Sequence, residues 1–134
     1  MPNCLRVKSG VEFDPIAPAG FRLLSALDTT ARRLKCDLTL TCGSEAHPPT
    51  DPHARGEAYD VRSHDFSDDQ KRAILREVML ELADDATTDA PLPVSDGIGT
   101  NHFWGWIENP GTLTEHFHFQ IRRGTIYEPP TVRA

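Results

Sequence analysis

The sequence predicts a single α+β domain, in which two helices pack on one face of a mainly antiparallel sheet of about four strands. Two observations predict this fold class. Apolar residues recur at spacings of three and four over residues 20–35 and again after residue 67, which is the period of amphipathic helices. Apolar and polar residues alternate over residues 37–42 and 116–121, which is the period of half-buried strands.

Each element can be assigned in chain order. Three prolines in residues 1–18 indicate an extended N-terminal arm, and the turn signal at residues 109–112 indicates a hairpin between the last two strands. Ser67 with Gln70 forms a capping box that begins the second helix. The predicted elements are a helix over 20–35, strands over 37–42 and 57–62, a helix over 67–84, an acidic, proline-containing loop over 84–100, strands over 103–107 and 116–121, and a C-terminal tail over 124–134.

Length, charge and composition limit the function classes. A chain of 134 residues suggests one domain, and its net charge of −6 without a basic cluster argues against nucleic-acid binding. No apolar run reaches the roughly 18–20 residues of a membrane span. The first residues lack the apolar segment of a secretory signal, so we expect a protein made in the cytoplasm without a signal peptide. Three cysteines without a C-x-x-C pair indicate reduced thiols.

Two short clusters carry the chemistry. Residues 53–60 read HARGEAYD and fit H-x-x-G-x-A-x-D, and residues 115–118 read EHFH and fit E-x-x-H. Two histidines and one carboxylate leave a fourth zinc position open for water, as catalytic zinc sites require. A carboxylate three residues before the last ligand can take a proton from that water. The sequence therefore predicts a site for one zinc ion per chain.

The strand period bears on which side chains meet. His116 and His118 share one face of the last strand, while Phe117 and Phe119 take the face toward the helices. Glu115 and His118 are an odd number of residues apart, so Glu115 reaches the histidine side only if it lies in the bend that begins the strand. The alternative is that His116 is the ligand and Glu115 supports it.

These residues resemble the zinc D-Ala-D-Ala carboxypeptidases and L-alanyl-D-glutamate endopeptidases, which share the Hedgehog-type peptidase fold and include phage endolysins. The resemblance covers about residues 20–123, and residues 41–47 are similar to a segment of a small single-domain branch. It implies His53, Asp60 and His118 as zinc ligands. It implies Glu115 as the base that activates water.

The sequence departs from that family in one respect. Many members place an arginine just after the first strand, where this chain has residues 43–45, GSE. The candidates to replace it at the substrate or the oxyanion are Arg55, Arg62, His47 and His116. Trp104 and Trp106 share a face of their strand, and we favour the open face, where they would wall a substrate groove, over the core face, where they would only pack.

The resemblance implies a lysin-like zinc metallopeptidase that hydrolyses amide bonds in the stem peptides of peptidoglycan. Such a protein would act on the cell wall after release or delivery. One alternative is a non-catalytic, metal-stabilised module of a phage or injection-system particle, and another is a zinc amidase that acts on small amides. The sequence leaves the scissile bond, the host and the oligomeric state open.

Overall fold

The computed structural model describes residues 3–83, 92–94 and 97–122, the side chains of 92–94 excepted. These residues form helices α1 (Pro18–Leu34) and α2 (Asp68–Leu82) and a short 3-10 helix (Pro52–Arg55). The strands are β1 (Leu5–Val7), β2 (Leu38–Cys42), β3 (Ala58–Arg62), β4 (Leu92–Val94), β5 (Gly97–Gly99), β6 (Phe103–Glu108) and β7 (His116–Ile121). The α+β class predicted from the sequence is confirmed.

The sheet is larger than predicted. Within the described residues it has seven strands in the order β1-β2-β3-β7-β6-β5-β4, rather than about four. Its pairs are antiparallel except for β1 and β2, which run parallel, so the sheet is mixed. The predicted antiparallel pairing of the last two strands, β6 and β7, is confirmed.

One face of the sheet carries the core. We call it the helix face, because α1 and α2 pack on it and on each other. Its fully buried strand residues are Leu38, Leu40, Tyr59, Val61, Phe103, Phe117 and Phe119. At Gly105 a Cβ atom would come within 2.7 Å of the Phe119 ring, so the absence of a side chain there lets Phe119 lie flat against β6.

Local sequence signals begin both helices. Pro18 occupies the first turn of α1, where its missing N–H costs no hydrogen bond. Ser67 and Gln70 form the predicted capping box at α2, with Ser67 N donating to Gln70 Oε1 at 2.8 Å. Neither helix among the described residues is long and apolar enough to cross a bilayer.

Two segments predicted to be irregular contain strands. The arm over 1–18 includes β1, which pairs in parallel with β2, and Arg6 forms an ion pair at 2.8 Å with Asp37 just before β2. The loop over 84–100 includes β4 and β5, which extend the sheet beyond β6. Residues 84–91 and 95–96 of that loop, and the predicted tail over 124–134, lie outside the described residues.

Candidate metal centre

The site is built on a row of residues that runs across four strands on the second face of the sheet, which we call the polar face. Cys42 of β2 is paired with Asp60 of β3, Asp60 with His118 of β7, and His118 with Trp106 of β6. The register between β2 and β3 shifts between Leu40 and Cys42. Such an irregularity re-aims a side chain, and here it brings Cys42 opposite Asp60 although Leu40 belongs to the helix face.

His53 reaches the row from the loop between β2 and β3. It lies in the 3-10 helix, which begins where His53 N donates to the Asp51 carboxylate at 2.9 Å. The helix ends at Gly56, whose φ of 70° favours glycine and whose added Cβ would come within 2.2 Å of Pro15 O. The fixed Gly56 of the motif therefore shapes the turn that carries His53 to Asp60.

The N-terminal arm holds this loop from outside. Ser44 N donates to Glu12 O at 2.8 Å, and Glu12 N donates to the Glu45 carboxylate at 2.9 Å. Ala17 N donates to Gly56 O at 3.3 Å. The position at which the resembled family carries an arginine is thus used here, through Ser44 and Glu45, to bind the arm.

Two histidines converge on one carboxylate. His53 Nε2 lies 3.3 Å and His118 Nδ1 lies 3.0 Å from Asp60 Oδ1. Both histidines are 5% exposed, and one ligating atom from each of the three residues lies within 4.8 Å of the others. The prediction that His53, Asp60 and His118 come together is met by this geometry, and the group is suited to hold a metal ion.

The charges at the site couple to one another. Burial alone would raise the pKa of Asp60, but the contacts with His118 and His53 outweigh it and hold that pKa well below its usual range. Burial alone would lower the pKa of His53, and the hydrogen bond and charge of Asp60 reverse the direction, so the pKa is raised. Asp60 is consequently a carboxylate at neutral pH, as a metal ligand must be.

A neighbouring amide orients His118. The Gln120 Oε1 atom lies 2.7 Å from His118 Nε2, on the side of the ring away from Asp60. A carbonyl oxygen accepts, so Gln120 would hold a proton on Nε2 and leave Nδ1, the nitrogen that faces Asp60, for a metal ion. Metal-binding histidines commonly have their second nitrogen fixed in this way.

Glu115 contacts α2, whereas the E-x-x-H motif predicts it on the side of the histidines. Glu115 is 8% exposed and pairs with Lys71 of α2, whose Nζ lies 2.8 and 3.1 Å from the two carboxylate oxygens. It precedes β7 directly and keeps the alternation of the strand, so it falls on the same side as Phe117 rather than His118. Glu115 N donates to Thr112 O at 3.2 Å in the turn before β7, and the carboxylate points toward Lys71.

The other predicted residues lie at differing distances from the group. His116 Nε2 is 3.5 Å from Asp60 Oδ2, and its Nδ1 is 2.7 Å from Thr114 O. Arg55 pairs with Glu57 at 2.6 Å at the edge of the loop, while Arg62 is exposed at the end of β3. The ring of His47 stacks on that of His53 at 4.4 Å. His116 and His47 therefore adjoin the group directly.

Both tryptophans lie on the polar face. The register pairs Trp106 with His118 and Trp104 with Gln120. The Trp106 and His118 rings are 4.4 Å apart, and the Arg122 guanidinium lies 5.6 Å from the centre of the Trp104 ring. This is the face that the sequence reasoning favoured for them.

Sequence reasoning missed several residues of the site. Glu108 is paired with His116 across the hairpin, and its carboxylate oxygens lie 3.3 Å from His118 Nδ1 and 3.4 Å from His116 Nε2. Gln120 follows His118 by two, and the strand period alone could have identified it. Cys42 and Glu108 required the strand register, which the sequence did not provide.

A cleft of about 470 Å³ opens beside the group. Its walls include His118, Trp106, Glu108, Gln120, Arg55 and Arg122. A volume in this range suits a small ligand or a few residues of a peptide. Of the three residues of the candidate metal group, His118 lines this polar, partly aromatic cleft.

Comparisons of this chain with protein-family models, with curated proteins and with solved structures found no match.

Proposed function

We propose that this chain is a zinc-dependent metallopeptidase that hydrolyses amide bonds in the stem peptides of peptidoglycan. The observation that carries the proposal is the convergence of buried His53 and His118 on Asp60 beside an open cleft. Two imidazoles and one carboxylate are a ligand set of catalytic zinc sites. The substrate class comes from the resemblance of residues 53–60 and 115–118 to the cell-wall peptidases.

One further observation fits this donor set to zinc. Gln120 fixes the ring of His118 from its far side. Zinc bound by His53, Asp60 and His118 would supply Lewis acidity, which polarises an amide carbonyl and makes water more acidic.

Glu108 takes the role of proton acceptor in this proposal. Its carboxylate lies on the polar face within 3.3 Å of His118 and lines the cleft, whereas Glu115 is held by Lys71 on the helix side. Glu108 would take the proton of the attacking water and give it to the leaving amine. Trp106 walls the cleft, and Arg55 and Arg122 at its edge would attract the carboxylate of a peptide substrate.

A matched pair of isosteric variants tests the assignment. We expect Glu108→Gln to keep zinc but to lose hydrolysis of purified sacculi and of D-Ala-D-Ala dipeptides, about 100-fold or more. Glu115→Gln is the control, and it should keep hydrolysis per folded molecule because its carboxylate faces α2. Zinc content is measured for both by elemental analysis. Full activity in Glu108→Gln, with activity lost in Glu115→Gln, would contradict the proposal.

Two contacts favour a second function, that of a non-catalytic, metal-stabilised module of a phage or injection-system particle. The carboxylate of the E-x-x-H motif is engaged in an ion pair with Lys71, and a neutral amide, that of Gln120, adjoins His118. Wild-type protein that binds zinc stoichiometrically but cleaves neither sacculi nor dipeptides would support this function. In either function the protein would be delivered to its site of action after synthesis in the cytoplasm.

A further inference from the structure

A second cluster of metal-ligating side chains adjoins the first. Cys42, His47 and His53 each present one ligating atom within 4.8 Å of the others. Cys42 ends β2, and both histidines come from the loop that follows it. We propose that Cys42, His47 and His53 form a separate site for a thiophilic metal ion, which competes with the ion at His53, Asp60 and His118.

The orientation of His47 supports a built site. Its Nε2 lies 2.9 Å from Cys42 Sγ, while its Nδ1 lies 3.6 Å from the Asp51 carboxylate. A carboxylate on the far nitrogen is the usual arrangement around a metal-binding histidine. The near nitrogen is thereby directed at the sulfur, where an ion would be held between them.

His53 provides the buried member of the cluster. It is 5% exposed, its ring stacks on His47 at 4.4 Å, and its Nδ1 lacks a hydrogen-bond partner within the described residues. A buried polar nitrogen without a partner is costly and is rarely retained without a ligand. This observation does not depend on the sulfur, and it leaves a His53 nitrogen open to a ligand.

The donor set defines the class of ion. One thiolate with two imidazoles suits soft and borderline ions such as Cu(I), Cd(II) and Zn(II) rather than magnesium or calcium. Tetrahedral bonds of about 2.3 Å to sulfur and 2.0 Å to nitrogen place these atoms about 3.5 Å apart, so Cys42 and His47 need to separate by only about 0.6 Å. Cys42 would bind as the thiolate, its proton passing to the buffer as the metal–sulfur bond forms.

The shared histidine makes the two sites competitive. A neutral imidazole has one free lone pair, so His53 serves one ion at a time. Asp60 offers a hard oxygen to the first set and Cys42 a soft sulfur to the second, so the first set favours zinc and the second favours the softer ions. A thiophilic ion at Cys42 would therefore displace zinc from Asp60 and His118.

Titration of the metal-free protein with Cd²⁺ tests this site without any assay of hydrolysis. We expect a sulfur-to-cadmium charge-transfer absorption that saturates at one ion per chain. The absorption should be lost in Cys42→Ser and His47→Gln. It should persist in Asp60→Asn and in Cys36→Ser, a matched control at another partly buried thiol. In a competition experiment, bound Cd²⁺ should prevent zinc from binding to the wild type.

Each outcome decides the proposal. Absence of the charge-transfer band in folded wild-type protein, or its persistence in folded Cys42→Ser, would overturn it. A band that is present while zinc binds independently would overturn the competition. Circular dichroism of each variant establishes folding, and His47→Gln serves as the second variant if Cys42→Ser does not fold. Loss of the band in Asp60→Asn would also contradict the separate site, because Asp60 belongs only to the first set.

Discussion

The two faces of strand β7 have different roles, although both belong to the same six residues. Toward α1 and α2, Phe117 and Phe119 are fully buried, and Glu115 just before the strand is neutralised by Lys71. Toward the cleft, His116 and His118 contact the carboxylates of Asp60 and Glu108. A carboxylate on the first face is part of the packing, and one on the second is available for chemistry.

Strand parity decides which face of the sheet a motif residue occupies, and the face decides its role. The E-x-x-H spacing joins two residues that an unbent strand sends to opposite sides. Lys71 contacts Glu115 from α2, which gives the buried carboxylate a partner where it lies. In the proposed peptidase the general base would then come from another strand, and the carboxylate of Glu108 on β6 lies 3.3 Å from His118 Nδ1.

The largest effect is expected on the helix face. Phe119→Ala should lower the free energy of unfolding by about 4 kcal/mol, because it removes a fully buried ring and leaves a cavity beneath Gly105. Urea denaturation followed by circular dichroism measures the change. Leu113→Ala is the control, since Leu113 is 95% exposed and its loss should cost almost nothing. Equal costs at the two positions would refute the packing described here.

The second effect concerns the buried ion pair. Glu115→Ala should lower the free energy of unfolding by about 3 kcal/mol, because it leaves the Lys71 ammonium, whose side chain is 12% exposed, without its partner. The double variant Lys71→Met, Glu115→Leu should recover most of this stability. The zinc affinity of the folded single variant should equal that of the wild type. A weaker zinc affinity would instead indicate that Glu115 belongs to the metal centre.

The third effect lies on the polar face. In a Cys42→Ser background, which removes the alternative thiol ligand, Asp60→Asn should weaken zinc binding by at least about 100-fold, or about 2.7 kcal/mol. The variant loses a ligand oxygen but keeps the side-chain shape, so the metal-free fold should remain. Isothermal titration calorimetry gives the affinity. Zinc bound as tightly as in the background protein would exclude Asp60 as a ligand.

The smallest effect separates orientation from ligation. Gln120→Ala should weaken zinc binding about tenfold, or about 1.4 kcal/mol, because His118 loses the oxygen that fixes its ring. Gln120→Glu should retain the affinity, since a carboxylate accepts the same hydrogen bond. Loss of all zinc in Gln120→Ala would instead make Gln120 a ligand, and an unchanged affinity would remove its orienting role.

Much of the fold follows from local signals. Sequence patterns predicted α1, α2 and β7 to within one or two residues at their ends. The patterns are the apolar period of residues 20–35, the Ser67–Gln70 capping box and the alternation of residues 116–121. The short strands β1, β4 and β5 were not predicted, because each has only three residues and forms by pairing with a neighbouring strand. Arg6 and Asp37 hold β1 in place through a contact between distant parts of the chain.

The candidate site was predictable only in part. His53, Asp60 and His118 were named because residues 53–60 and 115–118 resemble the zinc motifs of the cell-wall peptidases. Cys42 was missed, because the alternation of residues 37–42 is interrupted by the shift in register after Leu40. Glu115 contacts α2, because the parity of the strand, and not the motif spacing, decides its side.

A zinc-edge anomalous difference map from crystals of the zinc-loaded protein would test directly whether His53, Asp60 and His118 bind zinc. We predict one strong peak per chain bounded by His53, Asp60 and His118, at about 2.0–2.2 Å from each ligating atom. Glu115 should remain paired with Lys71 in the same crystal. No peak at this position, or a peak coordinated by Glu115, would contradict the assignment of the polar face as the metal centre.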